Sequence, residues 1–169
     1  YVNFLSRPNC FGANLQGRRE KPLGINIEND LGYFSFHHSR NVKVTVFGSV
    51  GDFFATYSQN SQFLICGNAG FGVGGNTRRI NLKIKEAKFN SDFTMWRMSF
   101  NEITIEKIKE PRPYLFIPAL GCTFKTANTE TLSRLLKYVP LENKVVFIDE
   151  NYHEHTQWIK HAVERVKQC

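Results

Sequence analysis

Residues 79–85 read Arg79-Ile80-Asn81-Leu82-Lys83-Ile84-Lys85. Aliphatic and polar side chains alternate here with a period of two. That period belongs to a strand with one face in a core and one in water. Ile80, Leu82 and Ile84 are expected to face inward. Arg79, Asn81, Lys83 and Lys85 share the outer face, and Arg78 and Lys88 extend the charge at either end.

The same period recurs on both sides. Val42, Val44 and Val46 alternate with Lys43 and Thr45, and Ile103 and Ile105 with Glu102, Thr104 and Glu106. Tyr33–Phe36, Phe53–Tyr57, Gln62–Cys66, Phe93–Phe100 and Tyr114–Ile117 read as further strands. Short strands at close spacing, joined by turn-like segments, point to an antiparallel β-sandwich or barrel of about eight strands. Residues 47–52 read as a hairpin loop between two of them. No internal repeat or low-complexity segment stands out in this reading.

The last third changes character. Leu132, Leu135, Leu136 and Val139 fall on one face of a helix. Asn128 or Thr129 is placed to cap its start and Pro140 to stop it. Val145-Val146-Phe147-Ile148 forms a continuous apolar run, an additional strand. Asn151, with Glu154 three residues on, resembles a capping box opening a second helix lined by Trp158, Ile159, Ala162, Val163 and Val166. The expected class is therefore α+β: the antiparallel body, two C-terminal helices and one additional strand. Residues 1–30 read as an irregular lead-in and 31–169 as one domain, helical from about 128. The outline is similar to a pleckstrin-homology-like barrel closed by a tryptophan-bearing helix, an analogy that assigns no family.

Composition bounds the function. The chain has 169 residues and a net charge of +7, from 22 basic and 15 acidic side chains. The excess is spread along the chain, which favours acidic partners only mildly. No apolar run is long enough for a transmembrane helix. Cys10, Cys66, Cys122 and Cys169 are scattered, with no C-x-x-C pair, and none of the asparagines lies in an N-x-Ser/Thr sequon. Both features point to an intracellular compartment, cytoplasmic or nuclear. Because Tyr1 stands where a methionine would begin a gene product, a larger parent protein or a removed signal peptide is compatible with the chain.

Gly70-Phe71-Gly72-Val73-Gly74-Gly75 satisfies the G-x-G-x-x-G spacing. The dinucleotide fingerprint requires a helix to follow, so that its N-terminal N–H groups meet a pyrophosphate. A strand follows instead, and the glycines read as a turn. Phe71 is an apolar side chain between loop glycines, where it either plugs the fold or meets a partner. Aromatics such as Phe34, Phe36, Phe47 and Tyr57 belong to the core or to base-stacking platforms.

Candidate chemistry is sparse. His37 and His38, if on a strand, point to opposite faces. His153, Gln157 and His161 form a stripe if helical, but H-E-x-x-H is absent. Asp149 and Glu150 end a buried strand, where carboxylates serve acid–base work or helix capping. The expected function is a non-catalytic interaction domain of a larger intracellular protein. It binds a protein or phosphate-bearing partner through the basic strand and adjacent glycine loop, at Phe71, Arg78, Arg79, Lys83, Lys85 and Lys88. The alternatives are nucleic-acid binding through the same stripe, and a hydrolase using Asp149, Glu150 and nearby histidines. No cofactor and no metal is expected.

Overall fold

The computed structural model describes residues 6–87, 98–108, 119–139 and 143–157. Its strands are β1 (Leu23–Ile27), β2 (Val42–Val46), β3 (Gln62–Asn68), β4 (Asn81–Ala87), β5 (Met98–Ser99) and β6 (Glu102–Ile108). Then come β7 (Ala119–Leu120), β8 (Thr123–Thr126), helix α1 (Thr129–Tyr138), β9 (Lys144–Ile148) and β10 (Glu154–Gln157). One eight-stranded sheet runs β1-β2-β3-β4-β6-β8-β9-β10, and β5 pairs with β7 in a small second one.

Every pair in the large sheet is parallel except β9–β10. This overturns the antiparallel sandwich or barrel. The alternation correctly separates inward from outward residues, but a period of two carries no strand direction. Connection length carries it. Residues 28–41, 47–61 and 69–80 are too long for tight hairpins and long enough to return the chain to the same end of the sheet.

Each strand with its connection therefore forms one coil, and each coil stacks on the last. The offset between stacked residues is 19 in the first part and 21 from β4 onward. The chain is thus a repeat array resembling a β-solenoid, and the expectation of no internal repeat falls with the sandwich. Ile27, Val46, Ile65, Ile84 and Ile105 occupy one inward position, and Ile25, Val44, Phe63, Leu82, Ile103, Phe124 and Val145 another.

The other side of each coil is an arc, not the strands expected at 33–36 and 53–57. Its backbone repeatedly enters the left-handed region: Phe34, Phe36 and His38, then Phe53, Ala55 and Tyr57, then Gly72, Gly74 and Asn76. The N–H groups there reach neighbouring coils, as Phe36 to Phe11, His38 to Thr56, Ala55 to Ser35 and Tyr57 to Gly75. Phe36, Phe54 and Val73 point in from the arc to meet the strand residues. The Phe54 and Phe63 rings meet edge-on at 5.4 Å. The core lies between sheet and arc.

Glycine marks where coils approach most closely. A Cβ on Gly51 would lie 2.8 Å from the Gly32 carbonyl carbon, and one on Gly70 would meet Gly51 at the same distance. Of the glycine-rich residues 67–76, read as a turn, 67 and 68 end β3 and 69–76 belong to such an arc, with β4 after it.

The C-terminal third holds one helix among the described residues, so the α+β class with two helices gives way to a mostly β fold. α1 starts where expected, with the Asn128 side chain accepting from the Thr131 N–H. It fills the arc position of its coil and buries Leu135. The second helix is not formed at its expected start. There, residues 154–157 pair antiparallel with β9 as β10. The rest of that stretch, from Trp158, lies outside the described residues, as do the expected strand 114–117 and most of 93–100. β1 falls within the lead-in 1–30. Among the described residues, no helix is long and apolar enough to cross a membrane.

Candidate functional site

The expected site residues divide between two surfaces. Lys83 and Lys85 project from the outer face of β4, both exposed, as the alternation requires. Arg78 and Arg79 are also exposed but precede the strand, at the corner between arc and sheet. Phe71 sits on the arc, with the core between it and the lysines. Lys88 lies outside the described residues.

The outer sheet face is of mixed charge. β6 sets Glu102 beside Asn81, whose amide donates to the carboxylate at 3.1 Å, and its register brings Glu106 beside Lys85. Lys125 on β8 reaches Glu102 at 3.3 Å and Glu154 at 2.6 Å. Burial works against the Lys125 charge, but the hydrogen bonds and charges of Glu154 and Glu102 outweigh it and raise its pKa.

Of the aromatics that the sequence offered to the core or to stacking platforms, the arc sets Phe34 and Tyr57 in an exposed aromatic band built by stacking coils. Phe34 and Phe53 lie one coil apart with rings stacked at 4.9 Å and an 11° interplanar angle. Phe71 meets Phe53 edge-on at 5.1 Å. A second column pairs His38 with Tyr57, stacked at 4.7 Å and 13°. His37 joins the columns, edge-on to Phe34 at 5.7 Å and to Tyr57 at 5.3 Å. Phe34 and Tyr57 are 40% and 42% exposed, enough to present ring surface to solvent. Of the other aromatics singled out in the sequence, Phe36 is core and Phe47 is exposed at the far corner.

His37 and His38 do not diverge as on a strand. Their rings lie 4.2 Å apart, because both belong to the arc. The Thr56 hydroxyl donates to the Phe53 carbonyl at 2.9 Å and so accepts from His37 Nδ1 at 2.7 Å. This fixes the proton on Nδ1. Burial, with the neighbouring His38 second, holds the His37 pKa below its usual value.

Beyond the aromatic columns runs a corner ladder, Gln16–Arg40–Gln59–Arg78–Ser99, each pair bridged in parallel. Arg40 and Arg78 thus stand two coils apart on one edge, both exposed. The Arg78 guanidinium lies over the Phe100 ring, 6.0 Å from its centre. The opposite border is acidic, but the Asp30 and Asp52 carboxylates are engaged by the N–H groups of Ser49 and Phe71. The signal for both columns was the 19-residue spacing itself, which puts Phe34 above Phe53 and His38 above Tyr57.

Asp149, Glu150 and the nearby histidines come together at the β9–β10 turn. Asp149 Oδ2 lies 2.8 Å from His155 Nε2 and 3.5 Å from His153 Nδ1. Its Oδ1 accepts from the N–H groups of Asn151 and His153. The His155 hydrogen bond first, then the His153 N–H, lower the Asp149 pKa. A cavity of about 410 Å³ beside it is lined by Ala127, Phe147, Ile148, Asp149 and Glu150. The carboxylate is fully occupied in tying the turn. No group of three or more metal-ligating side chains forms among the described residues.

Comparison with protein-family models, with curated proteins and with solved structures found no match. The stacked coils alone define the class, a parallel repeat protein with two broad surfaces.

Proposed function

We propose that this chain is a non-catalytic interaction domain of a larger intracellular protein, binding its partner across the arc and the adjoining basic corner. The observation that carries this is the aromatic band. Stacked Phe34 and Phe53, with Phe71 edge-on to Phe53, and Tyr57 in the neighbouring column hold their rings at the surface. Exposed contiguous apolar area of this kind marks interaction sites. Repeat arrays lend themselves to such use, because stacking extends one surface over many coils. Arg78 and Arg79 border the band, and Lys83 and Lys85 continue the cationic character around the corner. Free thiols at Cys10, Cys66 and Cys122 support the intracellular placement.

The test is a photo-crosslinking residue placed at position 57 and, as control, at position 144, in native extract. Crosslinks at 57 to one recurrent partner, competed by unlabelled chain and lost in Phe34→Ala with unchanged melting temperature, are expected. Equal labelling at 57 and 144 would remove the arc from consideration.

A further inference from the structure

We infer that the arc and its corner form a strip for single-stranded nucleic acid, with a base stacked on Tyr57 and phosphates on Arg40, Arg78 and Arg79; this rests on the interaction-domain reading. The His38–Tyr57 column ends abruptly. One coil further on, the same position is Asn76, so no third ring covers the Tyr57 face that looks along the array. The Phe34–Phe53 column ends likewise at Gly72, where a Cβ would come within 2.8 Å of the Phe53 ring. Both columns therefore stop on the second coil, and the third coil forms a step beside them.

That step is equipped for a planar, hydrogen-bonding, anionic ligand. Beneath it run the buried Gly75, its carbonyl held by the Tyr57 N–H at 2.9 Å, and the half-buried Asn76. Asn76 Nδ2, itself buried, has no hydrogen-bond partner among the described residues. An acceptor on a base edge would satisfy it once the side chain turns outward. Arg78 follows two residues later on the same coil and Arg79 beside it, while Arg40 stands two coils back on the same ladder. None of these three arginines forms an ion pair among the described residues.

Charge decides between classes of partner. A protein partner accounts for the rings, but Arg40 and Arg78 on one border ladder, with Arg79 beside them and no ion pair at any of the three among the described residues, match a repeating anion. Stacking of bases on rings beside a cationic track is how single strands are held without sequence preference. Duplex lacks the splayed bases that such a step requires.

The experiment measures a fluorescent 12-nucleotide oligouridine against the intact chain over a salt series, beside a duplex and heparin. Oligouridine is expected to bind, with log affinity falling by roughly 0.7 per log salt for each phosphate engaged. Arg40→Glu/Arg78→Glu should weaken binding and flatten that slope, whereas Lys144→Glu, on the far part of the sheet, should not. Tyr57→Asn and His38→Asn keep side chains that accept the left-handed backbone, so the fold survives while the ring is lost. Tyr57→Asn should weaken binding by about 5- to 150-fold with the salt slope unchanged.

No binding at low salt, equal affinity for heparin or duplex, or indifference to both ring variants overturns the inference. If oligouridine fails while partner-specific crosslinks at position 57 persist, the interaction-domain reading stands and the partner is a protein. If both fail, the arc is not a binding surface.

Discussion

Phe100 holds a φ of +53°, a conformation that costs a bulky L-residue about 1–2 kcal/mol. It stands in a column with Asn41, Asn60, Arg79 and Gly121, all left-handed. Asparagine and glycine enter that region readily and phenylalanine does not. Replacing Phe100, 56% exposed, by glycine should therefore stabilise the chain by about 1 kcal/mol, read as a melting temperature higher by about 2–4 °C. Gly72→Ala runs the other way. Its φ is +66° and the new methyl would press on Phe53, so a loss of about 2 kcal/mol or more is expected by denaturant unfolding. Neither position was legible in the sequence, because a left-handed arc with phenylalanine in it follows no turn rule. Gly72 read simply as a loop glycine.

His37 gives a pH dependence with a definite sign. Its folded pKa lies below the unfolded value, chiefly through burial, so the native state favours the neutral ring. The stability it contributes is present above the unfolded value near 6.5 and is lost as pH falls through the depressed folded pKa. Its ring-proton NMR shift should titrate below pH 6.5. Stability should fall on acidification through that window more in the wild type than in His37→Asn. A midpoint at or above 6.5 would contradict the buried, Thr56-bonded placement.

Elements divide by how local their signals are. Helix α1 was readable because its apolar spacing and its Asn128 cap are local. Asn128→Ala should cost about 1 kcal/mol. The strands β2, β3, β4, β6 and β9 were readable as strands for the same reason. Their outer lysines were placed correctly because inside–outside alternation is local too. Lys83→Glu/Lys85→Glu should leave thermal stability nearly unchanged, since both side chains are exposed. A large drop would show that they pack.

Between coils the signals are not local. Asn101 sits where other coils carry an inward residue, and it closes the stack by accepting from the Ile80 N–H at 3.0 Å and donating to Thr77 Oγ1 at 2.8 Å. Asn143 does the same for the Cys122 N–H at 2.9 Å. Asn101→Ala leaves a buried donor unpaired and should destabilise by about 1–3 kcal/mol in urea unfolding. In sequence it was one asparagine among fifteen.

At the scale of the molecule, each coil contacts its neighbours and the array needs an end. β10 supplies an antiparallel edge on β9, held by Lys125–Glu154 and by Asp149 with His153 and His155. The Asp149 pKa is depressed, so its contribution is present above the usual carboxylate range and lost as pH falls through the lowered value. The overall architecture was hidden because a period of two is visible in seven residues, whereas a period of 19 must be sought across the chain. Gly32, Gly51 and Gly70 carry that period, as do Ile27, Val46, Ile65 and Ile84. Changing inward side chains, from Phe36 to Ala55 to Gly74 at one position, blur it.

The most direct measurement is a pulsed dipolar distance between spin labels at Gly24 and Lys144 in a chain whose other cysteines are replaced. These residues occupy the same register position, six strands apart in the sheet. Strands stack at about 4.8 Å, so open parallel coils predict a separation of about 29 Å. A distribution centred well under 20 Å, as closure of first and last strands into a barrel would give, would contradict the stacked array and every surface ladder derived from it.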